Sequence, residues 1–325
     1  MSEQNKPFLV QKFGGTSLAD INGFTASAEV IGMYTDEHRV IVVLSAVKGV
    51  TDLLLAAIDT AVDGGDGVVH LEEAIARERA VVDALAEQGI DTPLASAFLK
   101  EQYETLSRRV QGIQLLEQCP EETRARILAT GEGFRSRLMV DVLQGEGYRA
   151  EWSDTDVLPP ANQDWLDSLI DIEAATPLLK ERLQSDSPVV VLPGFFGRNA
   201  EGGIQLLGRN GTDYSAADIA AAAGARLCQI WKDVDGFFTA DPRIVRNARC
   251  LEEVSYDEAM ELTYFGAKVI SAKALTPLAA NDIPCEVRNT YDPSMPGTLV
   301  HGKAKRAEVV RGISHLHDVS SITMQ

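Results

Sequence analysis

Two kinds of spacing alternate along the first part of the chain. Residues 8–13 (FLVQKF) and 39–46 (RVIVVLSA) are short apolar or β-branched runs, and between them 18–35 carries its apolar residues at helical spacing. The second run is apolar almost throughout, as expected of a strand buried on both faces of a parallel sheet. Gly14-Gly15-Thr16-Ser17 breaks the chain between the first strand and its helix, and a second loop ends at Thr51, where another helix begins. From Gly67 to Gln118 Glu, Ala and Leu dominate, with a break from Gly89 to Pro93. This predicts a helical excursion that could close over a site. Pro120-Glu121-Glu122 opens a further helix with Pro and acids in its first turn. Gly131-Glu132-Gly133 is expected to interrupt that helix before residues 134–143.

Strands are predicted at 149–153 and 188–194, and 195–208 reads as a hairpin turning within residues 199–203. An Ala-rich helix follows over 214–224, a strand over 227–232, helices over 256–264 and 268–280, and a strand over 285–289. Strands that alternate with helices predict an α/β fold with a mostly parallel central sheet between helices. No internal repeat or low-complexity segment stands out.

Composition narrows the chemistry. The chain has 325 residues, 45% of them hydrophobic and 24% charged, enough to bury roughly 75% of its unfolded surface. A net charge of −18 repels phosphate backbones, so no nucleic-acid partner is expected. Cys119, Cys228, Cys250 and Cys285 form no Cys-x-x-Cys pair, which suggests buried reduced thiols rather than a zinc site or a disulfide scaffold. There is no His-Glu-x-x-His, and His315 and His317 would share a face only on a strand, so no metal site is expected. No stretch approaches about 18 uninterrupted apolar residues, and the N-terminal text lacks a signal-peptide core, which points to a cytoplasmic protein without membrane contact.

Three strand-to-helix turns could carry chemistry, because such turns present backbone N–H groups and a helix N-terminus to an anion. The first places Lys12 beside Gly14 and Gly15; it is neither a Walker A loop nor a Gly-x-Gly-x-x-Gly fingerprint. The second, Gly208-Arg-Asn-Gly-Thr-Asp-Tyr-Ser215, sets Arg209 for bidentate capture of a carboxylate, while Thr212 or Asp213 could equally be the helix N-cap. The third, residues 231–243, mixes aromatics, acids and Pro, which suits a loop around a nucleotide base or any βα connection.

Taken together, KFGGTS at 12–17, VLSAVKGVTDLL at 43–54, Gly131-Glu132, LGRNGTDYSAA at 207–217, DVDGFFTADPR at 233–243 and FGAK at 265–268 resemble, in order, the aspartokinase family of the amino-acid kinase fold. The wording is closest to the kinase portion of bifunctional aspartokinase–homoserine dehydrogenases, notably SYDEAMELTYFGAK at 255–268. The resemblance implies a three-layer amino-acid kinase domain over residues 1–303. An aspartate-binding part is expected to about residue 190 and an ATP-binding part from 191. It further implies transfer of the γ-phosphoryl group of ATP, with Mg²⁺ held mainly through the ATP phosphates, to the side-chain carboxylate of L-aspartate. That is the first step toward lysine, threonine and methionine. Glutamate 5-kinase or acetylglutamate kinase activity, or an inactive ligand-binding module, are the alternatives.

By the same resemblance Lys12, Asp213 and Lys268 are catalytic, with Lys12 and Lys268 on the ATP phosphates and Asp213 orienting the lysines. Arg209 is assigned to the substrate α-carboxylate and Glu132 to its ammonium. Thr51, Asn210, Gly211 and Thr212 line the substrate, with Ser45 behind them. Gly14, Gly15, Lys232, Asp233, Phe238, Arg243 and Val269 fall on nucleotide positions. Phe238 stands where a tyrosine is usual and Lys232 where a threonine is usual, so the hydroxyl contacts do not carry over. Ser271-Ala272 replaces a common His-Pro. Residues 304–325 resemble the start of an ACT domain, and a weak homodimer is expected.

Overall fold

The computed structural model describes residues 6–47, 49–267, 269–304 and 311–314. β1 (Phe8–Phe13), β2 (Arg39–Leu44), β4 (Val189–Pro193) and β7 (Leu227–Lys232) form the centre of a sheet, with β3 (Ala150–Trp152) beyond β4. β9 (Cys285–Asn289), β10 (Thr298–Val300) and β8 (Glu253–Val254) complete it on the other side. The strand order is β3-β4-β2-β1-β7-β9-β10-β8, parallel throughout except where β10 pairs with β9. The two remaining strands, β5 (Phe196–Arg198) and β6 (Ile204–Leu206), make the expected hairpin.

Strand alternation divides the core into two layers, because successive side chains point to opposite faces. Val40, Val42 and Leu44 of β2 join Val189 and Val191 of β4 in one buried cluster, while Ile41, Val43, Val190 and Leu192 join the other. The first layer is covered by α1 (Ile21–Tyr34), α2 (Val50–Val62), α3 (Val68–Glu87), α4 (Pro93–Leu116), α5 (Glu121–Leu128) and α6 (Thr130–Gly145). The second is covered by α7 (Ile172–Arg182), α8 (Gly211–Ala223), α9 (Tyr256–Tyr264) and α10 (Ala272–Ala280). The three-layer arrangement is thus the expected one. The predicted excursion is α3 and α4, which bury Leu71, Ile75, Leu99 and Leu106 as part of the core.

Several boundaries differ from the sequence reading, each for a local reason. Gly131 and Gly133 do not break a helix; they lie in the first turn of α6, and the break falls at Ala129. A Cβ on Gly131 would lie 2.7 Å from the Ala46 Cβ, so the glycine serves close approach of the helix to the β2 loop. The helix predicted from Lys268 starts at Ala272 after Ser271, since Gly266 (φ +118°) ends the preceding turn. α1 starts at Ile21 because the Asp20 side chain caps it by accepting from the Gly23 N–H. α7, which carries Pro177, and the short strands β8 and β10 escaped prediction. Cys228 and Cys285 are buried register partners on β7 and β9, whereas Cys119 and Cys250 are only half-buried. His315, His317 and most of the 304–325 segment lie outside the described residues.

Candidate functional site

β1, β2, β4 and β7 run parallel, so the loops after Phe13, Leu44, Pro193 and Lys232 all leave one edge of the sheet. In open α/β sheets ligands bind at this carboxyl edge. Backbone bonds gather the loops there: the Gly14 N–H donates to the Trp231 carbonyl (3.2 Å), Ser45 to Phe13 (3.3 Å) and Gly194 to Leu44 (2.9 Å). Gly15 follows in the same turn as Gly14.

α8 enters this edge from the hairpin side. Its first helical residue is Gly211, three residues earlier than predicted, and its N-cap is Asn210 in the left-handed region (φ 61°). Neither Thr212 nor Asp213 is the cap. Thr212 instead donates its hydroxyl to Ser45 Oγ (3.4 Å), and Asp213 points its carboxylate at two ammonium groups. Lys12 Nζ lies 2.6 Å from Asp213 Oδ1 and Lys232 Nζ 3.0 Å from Oδ2. The lysine that replaces the usual threonine is therefore a second cation on the same carboxylate. Burial pushes the Asp213 carboxyl up, but Lys12 and Lys232 outweigh it and hold the group at about 2. Burial lowers the Lys12 ammonium below its ordinary value, opposed by Asp213 and reinforced by Lys232.

Glu132 sits in the first turn of α6 and is buried. Burial raises its carboxyl to about 8, although the Ala46 backbone N–H and the Lys12 charge pull the other way. Its Oε2 accepts no hydrogen bond, and no cation forms an ion pair with it among the described residues. A buried carboxylate without a cation is costly when ionised, so the site favours a ligand that brings positive charge. Arg209 and Asn210 are exposed on the turn before α8. Thr51 is half-buried in the first turn of α2; the N-cap there is Gly49, so its hydroxyl is not spent on capping.

The loop after β7 is anchored at its base. The Phe237 N–H donates to Thr298 Oγ1, which donates to the Leu251 carbonyl (2.6 Å), and Phe238 bridges Cys250. Asp233 is exposed, Val269 and Phe238 are half-buried, and Arg243 is 87% exposed and tied to Asp241 rather than to the lysine pair. Lys268 lies outside the described residues. Among the described residues no group of three or more His, Cys, Asp or Glu could hold a metal ion. No helix among them is long and apolar enough to cross a membrane.

Sequence reading missed Phe195. It has φ 74°, uncommon for a bulky residue, and is held there by bonds from its own N–H to Ser215 Oγ (3.1 Å) and from Leu207 N–H to its carbonyl (2.8 Å). Its ring lies against Gly211, where a Cβ would come within 2.9 Å of Phe195 Cδ2. Pro193-Gly194 was the available signal, since a Cβ on Gly194 would lie 2.4 Å from Thr212 Cγ2.

A family model described as the amino acid kinase family matches residues 7–289. The chain belongs to the amino acid kinase family. It is 35% identical over 317 residues to a bifunctional aspartokinase/homoserine dehydrogenase of Buchnera aphidicola, covering 95% of this chain and 38% of that protein. It is 30% identical over 321 residues to the lysine-sensitive aspartokinase 3 of Escherichia coli, covering 97% of this chain and 69% of that protein. The crystal structure of E. coli aspartokinase III in complex with aspartate and ADP superposes with a TM-score of 0.78 at 30% identity, over 94% of this chain and 67% of that one. The chain thus spans well under half of the bifunctional relative.

Proposed function

We propose that this chain transfers the γ-phosphoryl group of ATP to the side-chain carboxylate of L-aspartate, giving 4-phospho-L-aspartate and ADP. The observation that carries this reading is the buried Glu132, which has no ion-pair partner among the described residues, set beside a cluster with one positive charge to spare. A free amino acid supplies the missing ammonium; an acylated amine or a nucleoside monophosphate does not. The aspartokinase relatives and the aspartate and ADP in the E. coli complex support the same pair of ligands.

The acceptor carboxylate, with an unperturbed pKa of about 3.9, is ionised at neutral pH, so the reaction needs no general base. It needs two anions brought together. Lys12 and Lys232 face the transferring phosphoryl group, and Asp213 fixes both ammoniums so that they need no reorganisation as charge develops. Lys268 is assigned beside them from the FGAK match, and Asp233, Phe238, Arg243 and Val269 to the nucleotide side. Mg²⁺, carried by the ATP phosphates, adds charge neutralisation there. Arg209 takes the α-carboxylate, while Thr51, Thr212 backed by Ser45, and Phe195 wall the acceptor. Residues to about 190 supply most of the aspartate side and 191–303 most of the ATP side; the chain is cytoplasmic and self-associates weakly as a dimer.

Coupled ADP-release assays with aspartate, glutamate, N-acetylglutamate, carbamate and UMP test the acceptor. Aspartate is expected to be preferred at least tenfold, and a tenfold preference for any other would sink the proposal. Arg209→Ala is expected to raise the aspartate KM by the equivalent of about 2–3 kcal/mol with ATP affinity nearly unchanged. Weaker ATP binding with an unchanged aspartate KM would reverse the assignment of the two anions.

A further inference from the structure

On the far side of the first turn of α6 a cavity of about 210 Å³ opens between α4, α5 and the β5–β6 hairpin. Four arginines line it, Arg109, Arg126, Arg137 and Arg198, together with Phe98 and Trp152. Arg137 is clamped: its Cζ lies 4.1 Å from the Phe98 ring centroid and 3.7 Å from that of Trp152, and Nη1 donates to the Gly133 carbonyl (2.7 Å). Arg198 pairs with Asp154 (3.0 Å) and Arg126 with Glu122 (3.0 Å), and both donate to the Gly202 carbonyl of the hairpin turn. Arg109 makes no ion pair among the described residues, and after burial the neighbouring Arg126 is the next influence depressing its pKa.

The charge balance of this cavity runs against that of the molecule. Its wall offers two carboxylates, Glu101 and Asp154, and Glu122 stands behind Arg126, against four arginines. One positive charge is left over inside a chain of net charge −18. Like charges gathered at a half-buried position repel strongly unless an anion lies between them. A guanidinium fork matches the oxygen pairs of carboxylate and phosphate, and the cavity is smaller than the roughly 300–1,000 Å³ that holds drug-sized ligands. A compact ion fits within this volume, whereas a whole nucleotide exceeds it.

We propose that this cavity binds a small multiply charged anion of carboxylate or phosphate type at a site separate from that of phosphoryl transfer. Thr130 and Gly133 line it, while Glu132 between them turns toward Ala46 and Lys12, so one helical turn presents a different face to each site.

Calorimetric titration and thermal melting of the full chain with inorganic phosphate and with succinate, against sodium chloride at equal ionic strength, test the site. Saturable binding of one or both is expected in the parent and unchanged in Lys12→Ala, which removes a cation of the other anion site. Binding of phosphate alone or succinate alone identifies the ligand class. Arg109→Gln should weaken it at least tenfold without lowering the melting temperature of the ligand-free chain, because Arg109 holds no ion pair there. Glu122→Gln should tighten it by releasing Arg126. Equal effects of sodium chloride, loss of binding in Lys12→Ala, or parent-like binding in Arg109→Gln would each overturn the proposal.

Discussion

Two buried ion-pair systems flank the first turn of α6, built from similar groups to opposite ends. Arg135 of α6 meets Glu78 of α3, both nearly inaccessible, with the guanidinium over the rings of Phe24 and Phe134 and a bond to the Leu18 carbonyl. One cation meets one anion, and aromatic rings close the remaining space. Lys12, Lys232 and Asp213 instead set two cations on one anion at the open edge of the sheet. The closed pair joins two helices with one charge of each sign; the open one keeps a positive charge available. Stoichiometry, more than burial, separates the closed ion pair from the open one.

The largest expected effect probes the open system. Lys12→Ala should lower kcat about 100- to 1,000-fold, the scale of losing one preorganised electrostatic donor, with a smaller change in the aspartate KM. Lys232→Thr, which restores the residue usual in the family, should cost less, because Asp213 still holds Lys12. Steady-state kinetics with both substrates varied decides between them. A Lys232→Thr loss as deep as that of Lys12→Ala would show that the two lysines act as one unit.

The closed pair should respond in stability rather than turnover. Arg135→Met leaves Glu78 buried without its cation and should cost about 3–5 kcal/mol, while Arg135→Met with Glu78→Leu should recover most of that loss. Urea unfolding measures both. If the double variant stayed as unstable as the single one while losing aspartate affinity, the pair would belong to the site.

The finest contrast lies in pH. Asp213 is held at about 2, so its contribution to stability is present above pH 3.8 and fades only as pH falls toward 2. Glu132 is raised from 4.5 to about 8, so the folded state keeps its proton through that window and the ligand-free chain loses stability as pH rises across it. An ammonium ligand reverses this by favouring the carboxylate. Aspartate binding should release up to one proton near pH 7, and its affinity should rise with pH, at most about tenfold per unit, until about pH 8. Calorimetry in buffers of different ionisation enthalpy reads the proton directly, and Glu132→Gln should abolish the release. Binding without proton release in the parent would detach Glu132 from the ammonium.

Local chemistry accounts for what was legible beforehand. The bounds of β1, β7, α9 and β9 follow from apolar runs and spacing written within a few residues, and the structure closes the start of α9 with the capping box of Ser255 and Glu258. Lys12, Glu132, Arg209 and Asp213 were legible as candidates because ordered motifs name them; the structure joins Lys12 to Asp213 and leaves Arg209 exposed on its turn.

What the residue order alone determined, then, is the alternation that makes a parallel sheet inevitable, together with the identity of the charged groups at its edge. Which of those groups share a carboxylate was decided only by the tertiary structure. Lys12 and Lys232 are far apart in the chain and meet at Asp213 because β1 pairs in register with β7 while α8 starts above them. Gly131 reads as a helix breaker until Ala46 is seen against it, and only the packed chain shows Glu132 buried with the Ala46 N–H donating to it. Burial and pairing between distant segments are properties of the packed chain, set by strand register and helix approach, and no local spacing encodes them.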